Sequence, residues 1–400
     1  MTAGDSAPPV FPLNRGGVWP PGEYMNYRES EPVKLVETPF GTRAWLITRY
    51  RDVRGLLRGD GLSSDPRRPD FPTFVAFRRL SAEGATLRNP IVDMDEPEHA
   101  RYRRIVAPDL TVKAILRLVP RIERVVDTLL DDIEANGAPV DLMASFCADL
   151  PSQIVCEMLG FPAEEREYFR RLAEDIQAER TDASRRVEIH REMNEYVAAK
   201  VAAREQDRGD EFIDRLLDAR DRGDIPPEEV VNVARGMYSA GVGTTANAIA
   251  LSVVALLMHP EQAALIAHPD TDLPRAVEEL MRWTSIVHGL ARIALQRLEV
   301  DGQAIEEGDG VLLALPSANH DPSIFADPDR LDITREPSDQ LGFGQGIHQC
   351  PGQQLARIEL QIALSRLFRR FPSLRLDQPM SNLQFKQGFV HGVETLPVAW

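Results

Sequence analysis

Lysine is nearly missing from this 400-residue chain: Lys34, Lys113, Lys200 and Lys386 are the only four among 46 basic residues. The rest are arginines, a bias that accompanies abundant alanine and proline and reflects composition more than function. Cysteine is scarcer still. Three cysteines are too few for a disulfide framework. Cys147 and Cys156 lie in the apolar stretches MASFCADL and QIVCEML, where a free thiol behaves as a small buried hydrophobe. Cys350 has no such surroundings. Long apolar runs are also absent: no stretch reaches the roughly 18 residues of a membrane span. The start, MTAGDSAPPVFP, has neither the basic nor the apolar segment of a signal peptide. The expectation is a cytoplasmic protein with no membrane association. Positive charge is in deficit overall. A formal net charge of −16 opposes any general affinity for nucleic acid.

What is present is a helical pattern framed by short strands. Val33–Val36 and Ala44–Thr48 flank Pro39-Phe40-Gly41 and read as a hairpin. From Ser64 to Pro90 the prolines and Gly84 predict a long loop broken by short helices. Helices dominate from about Pro97 to Trp283. One has Pro120 near its first turn, then Ile122, Val125, Val126, Leu129, Leu130 and Ile133 on one stripe, and ends at Gly137. The longest runs from Pro226-Pro227 to His259-Pro260. Its second half, AIALSVVALLM, is apolar all round, which predicts a central buried helix. Strand signals return at Leu298–Val300 and Val311–Leu315, and a last helix follows Cys350 to about Arg370. There is no internal repeat and no low-complexity segment. The layout predicts one mainly α domain, residues 1–400, with small inserted β-sheets.

The chemistry concentrates in Phe343-Gly344-Gln345-Gly346-Ile347-His348-Gln349-Cys350-Pro351-Gly352. Glycines there allow tight turning and close approach to a flat ligand. The cysteine arrives where a helix begins, and the helix dipole favours thiolate, the form that binds metal. Pro351 has no N–H, so the amides of Gly352 and Gln353 are the available donors to sulfur. Upstream, Glu279-Leu280-Met281-Arg282 places an acid and an arginine at i, i+3 on one helix face. The long helix carries Ala240-Gly241-Val242-Gly243-Thr244-Thr245.

On these residues the chain resembles the cytochrome P-450 family, whose haem signature F-G-x-G-x-H/R-x-C-x-G is matched at every specified position. A chance match is on the order of one in a million from composition. The resemblance implies the P-450 fold with its long helix over the haem, haem b (iron protoporphyrin IX) as cofactor, and Cys350 as its metal ligand. It also implies contact of Phe343, Gly344 and Gly352 with the cofactor. His99, Arg103, Arg292 and His348 match the positions that hold the haem propionates. Glu279, Arg282 and Arg330 match the family's structural trio. Ala240 and Gly241 fall where small residues make room for oxygen. Thr244 and Thr245 fall in the proton-handling element, but its usual acid is replaced by Gly243.

By region, the resemblance places substrate contacts in Phe71–Pro90, Tyr168–His190, Met237–Gly241, Ile286–Leu290 and Phe389–Val393. Met237, Val242, Ile286, His288, Phe389 and His391 are the candidates. The expected activity is monooxygenation of a small, secondary-metabolite-like molecule by a monomer. Electrons would come from a ferredoxin and ferredoxin reductase. Oxidative C–C or C–O coupling is the alternative within the family. A haem-thiolate gas sensor, or a nitric oxide-reducing haem enzyme, is the alternative outside monooxygenation.

Overall fold

The long helix forms where the sequence places it, over Pro227–Met258. At 1.5 Å per residue its 32 residues span about 48 Å. In this computed structural model, which describes residues 8–74, 89–161, 168, 183–336 and 339–400, the helix crosses the middle of the molecule. Asp149–Leu159, Ala183–Gln206, Leu273–Thr284 and Gln353–Arg370 pack around it. Residues Ala248 to Leu256 are fully buried, as an all-apolar surface requires. By length and composition this helix alone, among the described residues, could cross a membrane, yet 78% of its most apolar window is buried inside the protein.

The stripe Ile122, Val125, Val126, Leu129, Leu130 and Ile133 is buried as predicted. Its helix, however, starts earlier than Pro120 suggests. Val112–Asn136 is one helix, capped by Thr111, whose hydroxyl accepts from Ala114 N at 3.2 Å. Pro120 lies inside it, on the exposed face, where water can reach the carbonyl left without an N–H partner. Gly137, at φ +75°, ends the helix.

The predicted hairpin pairs Val33–Glu37 with Arg43–Ile47, Val33 opposite Ile47. Arg43–Ile47 then runs parallel to Gly310–Leu313, and that strand runs antiparallel to Leu290–Ala294, with Arg292 opposite Val311. Leu62–Ser63 completes the five-stranded sheet. Leu298–Val300 pairs instead with Gln303–Ile305 as a separate hairpin. Residues 64–74 form the expected irregular loop; residues 75–88, with most of the region 162–182, lie outside those described. Main-chain bonds join the segment before Leu290–Ala294 to the C-terminal turn: His391 N donates to Ile286 O at 2.7 Å and His288 N to Phe389 O at 3.0 Å.

Candidate active site

Cys350 hangs from a loop whose shape is set by its glycines and its hydrogen bonds. Gly344 and Gly346 adopt φ of +66° and +74°, a region that side chains disfavour. A Cβ on Gly346 would also collide with the backbone oxygen of Leu57. Gly344 N donates to Leu341 O and Cys350 N to Phe343 O, each at 2.8 Å. The helix Gln353–Arg370 starts immediately beyond, and the N–H groups of Gly352 and Gln353 are directed at the sulfur, as the missing N–H of Pro351 implies. Burial pushes the thiol pKa up; those two amides and the charges of Arg103 and Arg357 pull it down. A bound iron cation would reverse that balance in favour of thiolate. Phe343 is buried, with the Arg357 guanidinium 4.5 Å from its ring centre.

The four residues matched to the propionates converge. His99 and His348 rings lie 4.4 Å apart, and Arg103 donates to Gln349 O beside the cysteine. His348 is held near pKa 3 by burial first, then by the charges of Arg292 and His99. Three buried nitrogen atoms in this cluster have no partner: His99 Nε2, Arg103 Nη1 and His348 Nδ1. Leaving such groups unsatisfied costs on the order of 1–3 kcal/mol each. A pair of carboxylates from a bound cofactor would accept from Arg103 Nη1 and from either ring nitrogen that carries a proton, so the residues fit haem.

The long helix carries the element matched to proton handling. Thr244 Oγ1 donates to Ala240 O at 2.6 Å, the back-bond that a helical threonine can make. Asn247 Nδ2 donates to Gly243 O at 2.7 Å, a contact no motif announced. The helical repeat puts Met237, Ala240 and Thr244 on one side. Met237 and Thr244 are half-buried and Ala240 is exposed on that side. Gly241 serves another purpose than the one expected: an added Cβ would meet Val155 at 3.0 Å, so its smallness admits the neighbouring helix Asp149–Leu159. Val242 and Thr245 turn away into the core, at 3% and 5% exposure. For Val242 this contradicts a substrate role, because it lies two residues, about 200°, around the helix from Ala240.

The buttress under the site differs from expectation in one member. Arg282 grips Glu279 through two bonds, 2.7 and 2.9 Å, with both side chains buried. The third side chain is Arg335, whose Nε donates to Glu279 Oε1 at 3.0 Å. Arg330 points outward with 68% of its side chain exposed, and contributes only its carbonyl, to Arg335 and Arg282. Local order cannot separate two arginines five residues apart; the turn at Asp332-Ile333 aims the second inward. Asn319 was missed altogether. Its carbonyl accepts from Arg282 at 2.8 Å and its Oδ1 from Leu341 N at 2.8 Å, which ties the buttress to the cysteine loop.

His288 and His391 are structural rather than free to meet a substrate. His288 Nε2 lies 2.7 Å from Pro12 O, and His391 Nε2 2.7 Å from Gly17 O. Both are buried, and burial with the nearby Arg15 charge holds each near pKa 3. Ile286 is buried, while Phe389 packs with Phe11 and Phe74.

A cysteine presented at a helix start, with partnerless imidazole and guanidinium nitrogens gathered beside its loop, defines a haem-thiolate protein. The chain belongs to the cytochrome P450 family. The Cytochrome P450 family model matches residues 273–395. Pentalenic acid synthase from Streptomyces avermitilis is 39% identical over 99% of this chain and 98% of its own length. Mycinamicin IV hydroxylase/epoxidase from Micromonospora griseorubida is 35% identical over 98% of this chain and 99% of its own. Among solved structures, mycinamicin VIII C21 methyl hydroxylase MycCI from the same organism, bound to mycinamicin VIII, superposes with a TM-score of 0.90 at 34% identity, covering 98% of this chain and 100% of that one. The fold is that of the family, haem b is its cofactor, and the chain is a monooxygenase.

Proposed function

We propose that this enzyme oxidises a small natural-product molecule using electrons from a ferredoxin and its reductase. The observation that carries the reading is the cluster of partnerless buried nitrogens, His99 Nε2, Arg103 Nη1 and His348 Nδ1, beside Cys350. Haem held there by a thiolate supplies dioxygen activation; the chain's own residues bind it, shape the space above it and handle protons. Relatives named for hydroxylation of mycinamicins support a secondary-metabolite substrate. The test is spectral. The reduced carbon monoxide complex should show the thiolate band, Cys350→Ala should abolish it, and Cys147→Ala should leave it. An unchanged band in Cys350→Ala sinks the assignment of the ligand. Titration with candidate metabolites should shift the haem spectrum; a gas sensor would show no such response.

Thr244 gives its hydroxyl proton to Ala240 O, so its oxygen is an acceptor that can hold a proton-bearing group at the face of the helix. With Gly243 offering no acid, we assign completion of proton delivery to a hydroxyl or amide of the substrate, relayed through ordered water. The ferredoxin is placed at Arg101 and Arg104, exposed on the helix Glu98–Val106 and, among the described residues, without an ion pair. Arg357 does not belong to that surface: it is engaged with Glu278 and Phe343. Because the whole molecule is acidic, the attraction must be local. Reduction should slow as salt rises and in Arg104→Glu; a rate indifferent to both removes this docking face.

A further inference from the structure

The stretch from Phe11 to Tyr24 runs along both segments assigned above to the substrate side, Ile286–Leu290 and Phe389–Val393, and is bonded to each. At its centre Arg15 is 5% exposed and has no carboxylate partner among the described residues. Its guanidinium donates to four carbonyls instead: Ser285 O and Thr284 O at 2.9 Å, Val18 O at 3.1 Å and Trp19 O at 3.2 Å. The first two end the helix Leu273–Thr284, where the negative end of the helix dipole favours a cation. Arg15 N also donates to Gln387 Oε1 at 3.2 Å, two residues before the other segment begins.

Two histidines extend the connection. His288 reaches Pro12 O at 2.7 Å and Tyr24 Oη at 3.3 Å; His391 reaches Gly17 O at 2.7 Å, with its ring stacked on Phe385 at 5.6 Å. Each therefore belongs to a segment of the substrate side and bonds to the strap. The two segments also bond each other through His391 N to Ile286 O and His288 N to Phe389 O. Fixing a buried guanidinium on carbonyls alone has a desolvation cost and no ion pair to offset it. Simple anchoring of a chain start would be met by apolar packing, such as Phe11 already makes with Phe74 at 5.0 Å.

We propose that Arg15 is a specificity-determining positioning residue: through the strap Phe11–Tyr24 it sets the placement of Ile286–Leu290 and Phe389–Val393 against the substrate. The inference rests on the reading of those segments as substrate walls. A lysine keeps the charge but cannot hold four carbonyls in one plane.

The test uses haem-loaded wild type, Arg15→Met and Arg15→Lys with two ligands that bind iron directly, imidazole and 4-phenylimidazole. Imidazole needs no walls; the phenyl group does. In both variants the Kd of 4-phenylimidazole should rise about fivefold or more while that of imidazole stays within about twofold. Hydrogen exchange should quicken in peptides covering 284–290 and 385–391, and Arg15→Lys keeps the test open if Arg15→Met does not fold. Equal shifts for both ligands, or unchanged exchange in both segments, overturn the proposal. Quickened exchange with an unchanged 4-phenylimidazole Kd shows that the strap positions the segments but that they do not wall the substrate, which overturns the specificity role through the reading beneath it.

Discussion

At the scale of single residues, the buried Glu279 carboxylate gathers donors from three residues. Its Oε1 accepts from Arg282, Arg335 and Asp332 N, and its Oε2 from Arg282. Removing one charged donor from such a buried acceptor costs about 1.5–3 kcal/mol. Arg335→Ala should therefore lower the unfolding free energy measured in urea by that amount and reduce haem retention, since Arg282 and Asn319 link the network to Leu341 in the cysteine loop. Arg330→Ala should stay within about 0.5 kcal/mol, as for other exposed side chains. Equal losses in the two variants would restore Arg330 to the trio. The residue types were legible at 279 and 282 because an acid and an arginine three apart on a helix must meet. The third partner was not, because its reach depends on a turn.

At the scale of elements, the long helix makes its chemistry out of back-bonds. Thr244 and Asn247 both turn their side chains onto carbonyls four residues earlier, at Ala240 and Gly243. Asn247 is wedged by the C-terminal strand Gly392–Val393, where a Cβ on Gly392 would collide with Asn247 Oδ1. The helix near Gly243 is thus polar along its carbonyls and lacks an acid. Thr244→Ala should raise hydrogen peroxide release several-fold at the expense of product, measured per electron consumed. A substrate analogue without its hydroxyl or amide should do the same in the unmodified enzyme. Gly243→Asp should not improve yield per electron; a clear improvement would make the glycine a tolerated loss. If neither Thr244→Ala nor the analogue alters peroxide release, the substrate takes no part in proton delivery.

At the scale of the whole molecule, buried titratable groups shape the response to pH. His288 and His391 are held near pKa 3 and His320 well below its ordinary 6.5, each chiefly by burial. The unfolded chain binds protons at these sites first as pH falls, so their contribution to stability is present above about 6.5 and is lost towards acid. Glu359, buried in the helix Gln353–Arg370, is raised to about 8 by burial. There the native state keeps its proton longer. Its contribution is full below the ordinary carboxyl value of 4.5 and declines as pH rises to about 8. Three histidines outweigh one glutamate on the acid side, so the thermal midpoint should peak near pH 6.5 and fall both ways. Glu359→Gln should flatten the alkaline limb and steepen the acid limb above pH 4.5, where Glu359 opposes the histidines; an unchanged alkaline limb would assign that loss to other groups.

The linear order of residues was enough to foresee the turn that presents Cys350 at a helix start, the gathering of His99, Arg103 and His348 beside it, and the central helix. Each depends on short spacings, F-G-x-G-x-H-x-C-x-G, an i, i+4 pair, an all-apolar run, that local geometry converts directly into position. Tertiary structure alone decided which of Arg330 and Arg335 reaches Glu279, and that Gly241 faces Val155 rather than the site. It also decided that His288 and His391 bond to a strap nearly 300 residues or more away in sequence, at Pro12 and Gly17. The physical reason is the same in each case: a polar side chain or a missing Cβ is satisfied by whatever the fold brings within 3 Å, and nothing in the local sequence specifies that neighbour.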